Sequence, residues 1–203
     1  MIAVIDYGLG NVQAFLDIYK RLNLPAYAAK SAEDLNGASR FILPGVGAFD
    51  WAMQSLDNSG MRRTLEHLVI KEGMPVLGVC VGMQMLANRS DEGNLGGLGW
   101  IPGEIKRFDE ANFEQLPHLP HMGWNDVAVA QNNPLLENIT EPQFYFLHSY
   151  YFEPRETTCA IGVTEYGGAF TSVVAKDNIY GTQFHPEKSH HWGVNLLKNF
   201  AEL

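Results

Sequence analysis

Apolar positions fall into two different patterns along this 203-residue chain. In the first half, short unbroken apolar runs alternate with segments of helical period. Residues 2–5 (IAVI) form one run and end at Asp6. After Gly8, Gly10 and Asn11 comes VQAFLDIYKRL, where Val12, Phe15, Leu16, Tyr19 and Leu22 recur at helical spacing and Asn11 is placed to cap the start. A second run, residues 40–43, is broken by Pro44-Gly45-Val46-Gly47. Helices are predicted over 48–57 and 61–72, a third strand over 75–79, and a helix from Gly82. Unbroken apolar strands alternating with helices imply an α/β fold whose sheet is parallel in this half, with helices on both faces.

The second half changes character. Residues 93–142 are rich in Gly, Pro and Asn and predict loops, hairpins and short strands such as 104–108. FYFLHSYYF (144–152), CAIGVTEYG (159–167), FTSVVAKDN (170–178) and IYGTQF (179–184) read as antiparallel strands with tight turns. WGVNLLKNFAEL closes the chain as a helix with Leu196, Leu197 and Phe200 on one face. No repeat and no Pro- or Ser-rich linker interrupts the sequence, so residues 1–203 are expected to form one domain of open mixed sheet.

Composition narrows the function classes. With 14 Lys+Arg against 23 Asp+Glu, the formal net charge of −9 opposes binding to a phosphate backbone. The N-terminus lacks the basic and apolar regions of a signal peptide, and no apolar stretch approaches the roughly 20 residues that span a bilayer. Two distant cysteines do not make a disulfide framework. A cytoplasmic protein is expected.

One of those cysteines sits in VLGVCVGMQML (76–86). Cys80 lies between Gly78 and Gly82, where a strand gives way to a helix. A sharp strand-to-helix turn lifts its central residue to the carboxyl edge of the sheet, and a thiol suits this elbow as well as a hydroxyl. The helix dipole favours thiolate, and the Val81 N–H is placed to hold an oxyanion. Gln84, four residues on, falls on the same side of the helix. The competing reading of Cys80 is a small buried hydrophobe, and these features leave the two evenly matched. Cys159 has no such context and reads as a buried strand residue.

A thiol nucleophile needs a base, and the base an orienting group. In GTQFHPEKS, His185 follows an apolar strand and Glu187 lies two residues on. A surface turn explains the tripeptide equally well by itself. His148 lacks an adjacent acid. His118, His121, His190 and His191 lack the paired spacing of zinc sites, so no metal is expected. GLGN (8–11) lacks the third glycine of a dinucleotide fingerprint, and no cofactor is expected.

Taken together, GVCVGMQ and FHPEKS, about a hundred residues apart, resemble the class I glutamine amidotransferases, whose elbow reads G-x-C-x-G-x-Q and whose base and orienter read H-P-E. More narrowly, DYGLGN, ILPGVGAF, EGNLGGLGWIPG, LPHMGWN, FLHSYYFEP, YGTQFHPEKS and LLKNF resemble the glutaminase subunits of imidazole glycerol phosphate synthase along nearly the whole chain. The resemblance implies the flavodoxin-like fold of class I glutaminases. It implies a catalytic triad of Cys80, His185 and Glu187, acting on L-glutamine through a γ-glutamyl thioester. Val46 and Val81 would donate to the oxyanion. Gly47, Gln84, Glu92, Ser149 and Tyr150 would form the glutamine pocket. It implies a (β/α)8-barrel cyclase partner in a heterodimer, receiving ammonia for imidazole glycerol phosphate and aminoimidazole carboxamide ribotide in histidine biosynthesis. Asn11, Trp124, Asn125, Tyr145 and Lys188 match positions at that interface, although core packing accounts equally well for Trp124 and Tyr145.

Two departures stand out. Val81 replaces a more usual Leu, which matters little if its N–H does the work. His190-His191-Trp192 replaces small or acidic residues, and with NVQAFLDIYKRLN it resembles a paralogous branch that supplies ammonia for amidination of an amino sugar in surface-polysaccharide synthesis. Two further readings remain: a thiol hydrolase or peptidase on the same elbow, and a regulatory subunit without catalysis.

Overall fold

The computed structural model describes residues 1–112 and 119–203; His118 lies outside the described residues. In chain order the elements are β1 (Ile2–Ile5), α1 (Val12–Arg21), β2 (Ala26–Ala29), β3 (Arg40–Gly45), α2 (Phe49–Asn58), α3 (Arg62–Glu66), β4 (Val76–Cys80) and α4 (Val81–Gln84). They continue with β5 (Arg89–Ser90), β6 (Gly103–Arg107), β7 (His121–Asp126), β8 (Ala128–Val129), β9 (Gln143–His148), β10 (Tyr150–Pro154), β11 (Ala160–Glu165), β12 (Ala169–Lys176), β13 (Ile179–Thr182) and α5 (His190–Glu202).

The main sheet runs β2-β1-β3-β4-β13-β12-β10-β6-β5. The pairs β2–β1, β1–β3, β3–β4 and β4–β13 are parallel. Beyond β13 the sheet turns antiparallel, through β12 to β10 and on to β6. This is the mixed sheet expected from the two hydrophobic patterns. The chain steps from β1 outward to β2 and from β3 in the opposite direction to β4. Right-handed crossovers therefore place α1 on one face and α2 with α3 on the other. The apolar runs of β1 and β4 are buried at every position because helices cover both sides.

On α1, Asn11 caps the first turn by accepting the Ala14 N–H at 3.1 Å, and Phe15, Ile18 and Tyr19 face the core. The Tyr19 hydroxyl donates to Leu197 O at 3.1 Å, tying α1 to α5, whose Leu196, Leu197 and Phe200 are buried.

Four local expectations are corrected. The sequence pattern predicts no strand at β2, because AYAA shows neither a strong apolar run nor alternation, and its first three residues are only half-buried. The helix expected over 61–72 changes into a π-helical turn, His67–Lys71. FYFLHSYYF is not one strand. It breaks at Ser149 into β9, which pairs with β7 in a separate two-stranded ribbon, and β10, which joins the main sheet. The helix after Cys80 is one turn long, too short to align many peptide dipoles.

Candidate active site

Cys80 ends β4 at the carboxyl edge of the parallel strands, where open α/β sheets bind ligands. Its backbone stands at φ 56°, ψ −114°, a left-handed conformation rare for any residue with a side chain. Such geometry costs about 1–3 kcal/mol and persists only where the surroundings impose it. The flanking glycines do not supply the turn by a positive φ of their own. They remove bulk. A Cβ on Gly78 would lie 2.6 Å from the Gly82 carbonyl oxygen, and one on Gly82 would strike the Leu43 carbonyl. The elbow therefore nests against β3, where Gly45 is the register partner of Cys80.

His185 follows β13. Its Nδ1 meets Glu187 Oε1 at 2.8 Å, with the two side chains only 4% and 3% exposed. Burial by itself would drive the imidazole pKa down. Hydrogen bonding to Cys80 and Glu187 reverses this and pushes it up to about 10. The backbone around His185 is held from both sides by β9. Its N–H donates to Tyr145 O at 2.9 Å, while Ser189 Oγ donates to His185 O at 2.6 Å and accepts the Tyr145 N–H at 3.0 Å. Phe184 stacks on Phe144 at 3.8 Å, so the same ribbon also anchors the residue before the base.

A cavity of about 210 Å³ opens over the sulfur. Its walls include Cys80, His185, Gln84, Glu92, Ser149 and Tyr150, with Val46, Gly47 and Val81 at the elbow side. All the substrate and oxyanion residues expected from the resemblance line this one cavity, together with Pro120, Leu147 and His148. A volume below the roughly 300 Å³ of drug-sized sites suits a small metabolite rather than a polypeptide strand.

Several of these residues are already engaged. The Gln84 amide donates to Tyr150 O at 3.2 Å and to Gln183 Oε1 at 3.1 Å, leaving its own oxygen as the group a ligand can use. Glu92 Oε2 accepts the Phe49 N–H at 2.9 Å and so caps α2. The loop around it is pinned by Asp50, which accepts the Asn94 and Leu95 N–H groups at 2.9 and 3.0 Å. The sequence reading missed Gln183. It is fully buried, and with its oxygen taken by Gln84 its amide nitrogen points to Cys80 Sγ at 3.9 Å. A buried Gln two residues before His185 was the available signal, but its direction depends on Gln84 from another element.

Three of the expected interface residues, Trp124, Asn125 and Tyr145, lie on the β7–β9 ribbon. Trp124 is 42% exposed and pairs in register with Tyr145, which excludes core packing for the tryptophan. Lys188 Nζ lies 5.9 Å from the centre of the Tyr145 ring. Asn11 is exposed at the start of α1, which packs against the Pro186–Lys188 turn. His190 stacks flat on Trp124 at 5.0 Å, and Trp192 lies 6.1 Å away. Among the described residues no cluster of His, Cys, Asp and Glu is arranged to hold a metal. Nor is any helix long and apolar enough to cross a membrane.

An elbow cysteine, an imidazole–carboxylate pair and an amino-acid-sized cavity on this sheet define a class, and sequence comparison agrees. The glutamine amidotransferase class-I family profile matches residues 3–203, and the chain belongs to that family. The fold is shared with a glutamine amidotransferase of Thermotoga maritima, at TM-score 0.65 and 16% identity, over 99% of this chain and 82% of that one. Within the class, the chain is 53% identical to imidazole glycerol phosphate synthase subunit HisH of Bdellovibrio bacteriovorus, over 100% of both chains. It is 48% identical to imidazole glycerol phosphate synthase subunit HisH 2 of Pseudomonas aeruginosa, again over 100% of both.

Proposed function

We propose that this chain is the glutaminase subunit of imidazole glycerol phosphate synthase, a cytoplasmic enzyme of histidine biosynthesis that passes ammonia to a (β/α)8-barrel cyclase. The observation that carries this reading is the single cavity in which Cys80 and His185 meet Gln84, Glu92, Ser149 and Tyr150.

Cys80 Sγ attacks the side-chain amide carbon of glutamine. His185 takes the thiol proton and delivers it to the departing nitrogen, so that ammonia leaves and a γ-glutamyl thioester remains. Water then adds to the thioester with His185 as base, which releases glutamate and restores the thiol. Glu187 holds the imidazole and stabilises its charged form. The Val46 and Val81 N–H groups would bind the oxyanion once the peptide before Val46 is turned toward it by partner binding. Ammonia released to water would be protonated and lost, which is the reason to pass it directly to a partner. The exposed Trp124, with Asn125, Tyr145 and Lys188 beside it, supplies the docking face.

The test is reconstitution with the barrel subunit. Cys80→Ala should abolish glutamate release while circular dichroism stays unchanged, and glutamine turnover surviving in that variant would sink the assignment. The isolated chain should be nearly inactive and should be stimulated by the barrel. A glutamine-analogue electrophile should label Cys80, which a peptidase or a non-catalytic subunit would not show.

A second reading concerns the acceptor. His190 and Trp192 lie against Trp124 on the proposed docking face, and one close relative is named HisH 2. Both fit a paralogue that supplies ammonia for amidination of an amino sugar. Imidazole glycerol phosphate formation by the reconstituted pair decides for the histidine pathway.

A further inference from the structure

Two buried histidines lie outside the triad and have no part in the chemistry above. His121 is on β7 and His148 ends β9, 3% and 6% exposed. Their hydrogen bonds can be read in only one direction. His148 Nδ1 lies 2.8 Å from Tyr150 O, a carbonyl that can only accept, so Nδ1 carries the proton. In a neutral ring, Nε2 is then an acceptor. It faces His121 Nδ1 at 3.0 Å, which must therefore donate. That leaves His121 Nε2 bare, and the Asn125 amide nitrogen stands 3.2 Å from it. The Asn125 amide cannot be reversed: its nitrogen also donates to Glu165 O at 3.0 Å, and its oxygen accepts the Asp126 N–H at 2.8 Å. Burial holds both imidazoles neutral, with pKa values lowered to about 4 for His121 and about 3 for His148, the latter also opposed by His121. The His121 ring is clamped between Tyr166, at 3.9 Å, and Phe146, at 4.7 Å. Phe108 and Phe170 flank His148 at 5.4 and 5.2 Å.

This line of hydrogen bonds runs from the ribbon to the cavity. Asn125 is half-buried on the ribbon beside exposed Trp124. Tyr150 O, at the other end, is also the acceptor that holds the Gln84 amide in the cavity. We propose that His121 and His148 are positioning residues for the glutamine pocket, relaying a one-way line of hydrogen bonds from Asn125 on the docking ribbon to the Tyr150 carbonyl. The proposal rests on the glutaminase reading and deepens it. A shift of Asn125 on docking would be felt at the peptide that orients Gln84, without any contact between partner and substrate.

The experiment combines a spectroscopic and a kinetic readout on the full chain. Nitrogen NMR of the imidazoles at pH 7 should show both rings neutral and both protonated at Nδ1. A proton at Nε2 of either ring, or an imidazolium, would overturn the relay. Asn125→Asp changes the amide donor into an acceptor with little change of shape, and His121 should then gain a proton at Nε2. His121→Phe keeps the stacking faces and deletes the donor to His148. In complex with the barrel subunit, each variant should raise the glutamine KM about fivefold, the effect of one neutral hydrogen bond, with kcat changed less. An unchanged KM in both variants, with melting curves showing them folded and Cys80 still labelled by the glutamine analogue, overturns the proposal alone. Failure of the unaltered chain to be labelled overturns the glutaminase reading, and the relay falls with it.

Discussion

His185 and His148 line the same cavity, and both are buried, yet their proton affinities move in opposite directions. His148 is lowered to about 3 and His185 is raised to about 10. Desolvation is the largest influence on each and lowers both. What separates them is the company each ring keeps. His148 meets a carbonyl and a neutral imidazole, neither of which favours a cation. His185 meets a carboxylate at 2.8 Å and the cysteine sulfur. The lesson is that burial does not decide the role of a histidine here. Partner charge does, and the fold places a charge-rich and a charge-free imidazole on the same cavity, the first suited to the proton transfer and the second to the orientation proposed above.

That comparison can be broken most severely at Glu187. Glu187→Gln removes the charge that distinguishes the two rings, and the His185 pKa should fall toward that of His148. Glutaminase turnover should drop about 100- to 10,000-fold, read by glutamate release, with the titration followed by NMR. A turnover within about threefold of the original would show that the sulfur alone sustains the proton affinity.

The neutral pair should reveal itself in acid. The folded-state pKa values of His121 and His148 lie below the unfolded value near 6.5, so the unfolded chain binds more protons as the pH falls below that value. Stability should therefore be lost between about pH 6.5 and pH 4, with a slope near 1.4 kcal/mol per pH unit for each ring. Denaturant titrations at several pH values measure this. His148→Gln should flatten the slope by about half, and a slope left unchanged would assign the acid sensitivity to other groups.

A smaller effect is expected at Gln183. Gln183→Leu takes away the donor facing Cys80 Sγ and leaves one Gln84 N–H without its acceptor. It should cost about 1–3 kcal/mol in stability and slow alkylation of Cys80. The smallest is Ser189→Ala, which frees the His185 carbonyl from its 2.6 Å bond. About 1 kcal/mol is expected, seen as a fewfold fall in kcat with the His185 titration nearly unmoved.

Much of the parallel half was legible because its signals are local. IAVI and VLGVC are unbroken apolar runs, and Phe15 and Tyr19 repeat at helical spacing. Cys80 and its neighbours alone leave an elbow nucleophile and a small buried thiol evenly matched. The flanking glycines serve through the missing Cβ against Gly82 and Leu43, not through backbone freedom. That distinction depends on how β3 approaches β4 and cannot be seen along the chain. Ser149 is a similar case. FYFLHSYYF has the composition of one strand, and only the departure of β9 into its ribbon reveals the break.

What the chain declares through residue order is therefore its α/β class, the sharp turn at Cys80, the adjacency of His185 to Glu187 and, by resemblance, glutamine as the expected substrate. The first three follow from apolar period and from neighbours two to four residues apart, which geometry constrains whatever surrounds them. The direction of the Gln183 amide, the double duty of Glu92 and the proton positions of His121 and His148 were decided only by folding. Each depends on hydrogen-bond partners from distant segments, Gln84 for Gln183, Phe49 for Glu92, and Asn125 and Tyr150 for the histidine pair. A buried polar group takes its role from the group that satisfies it, and that partner is chosen in three dimensions.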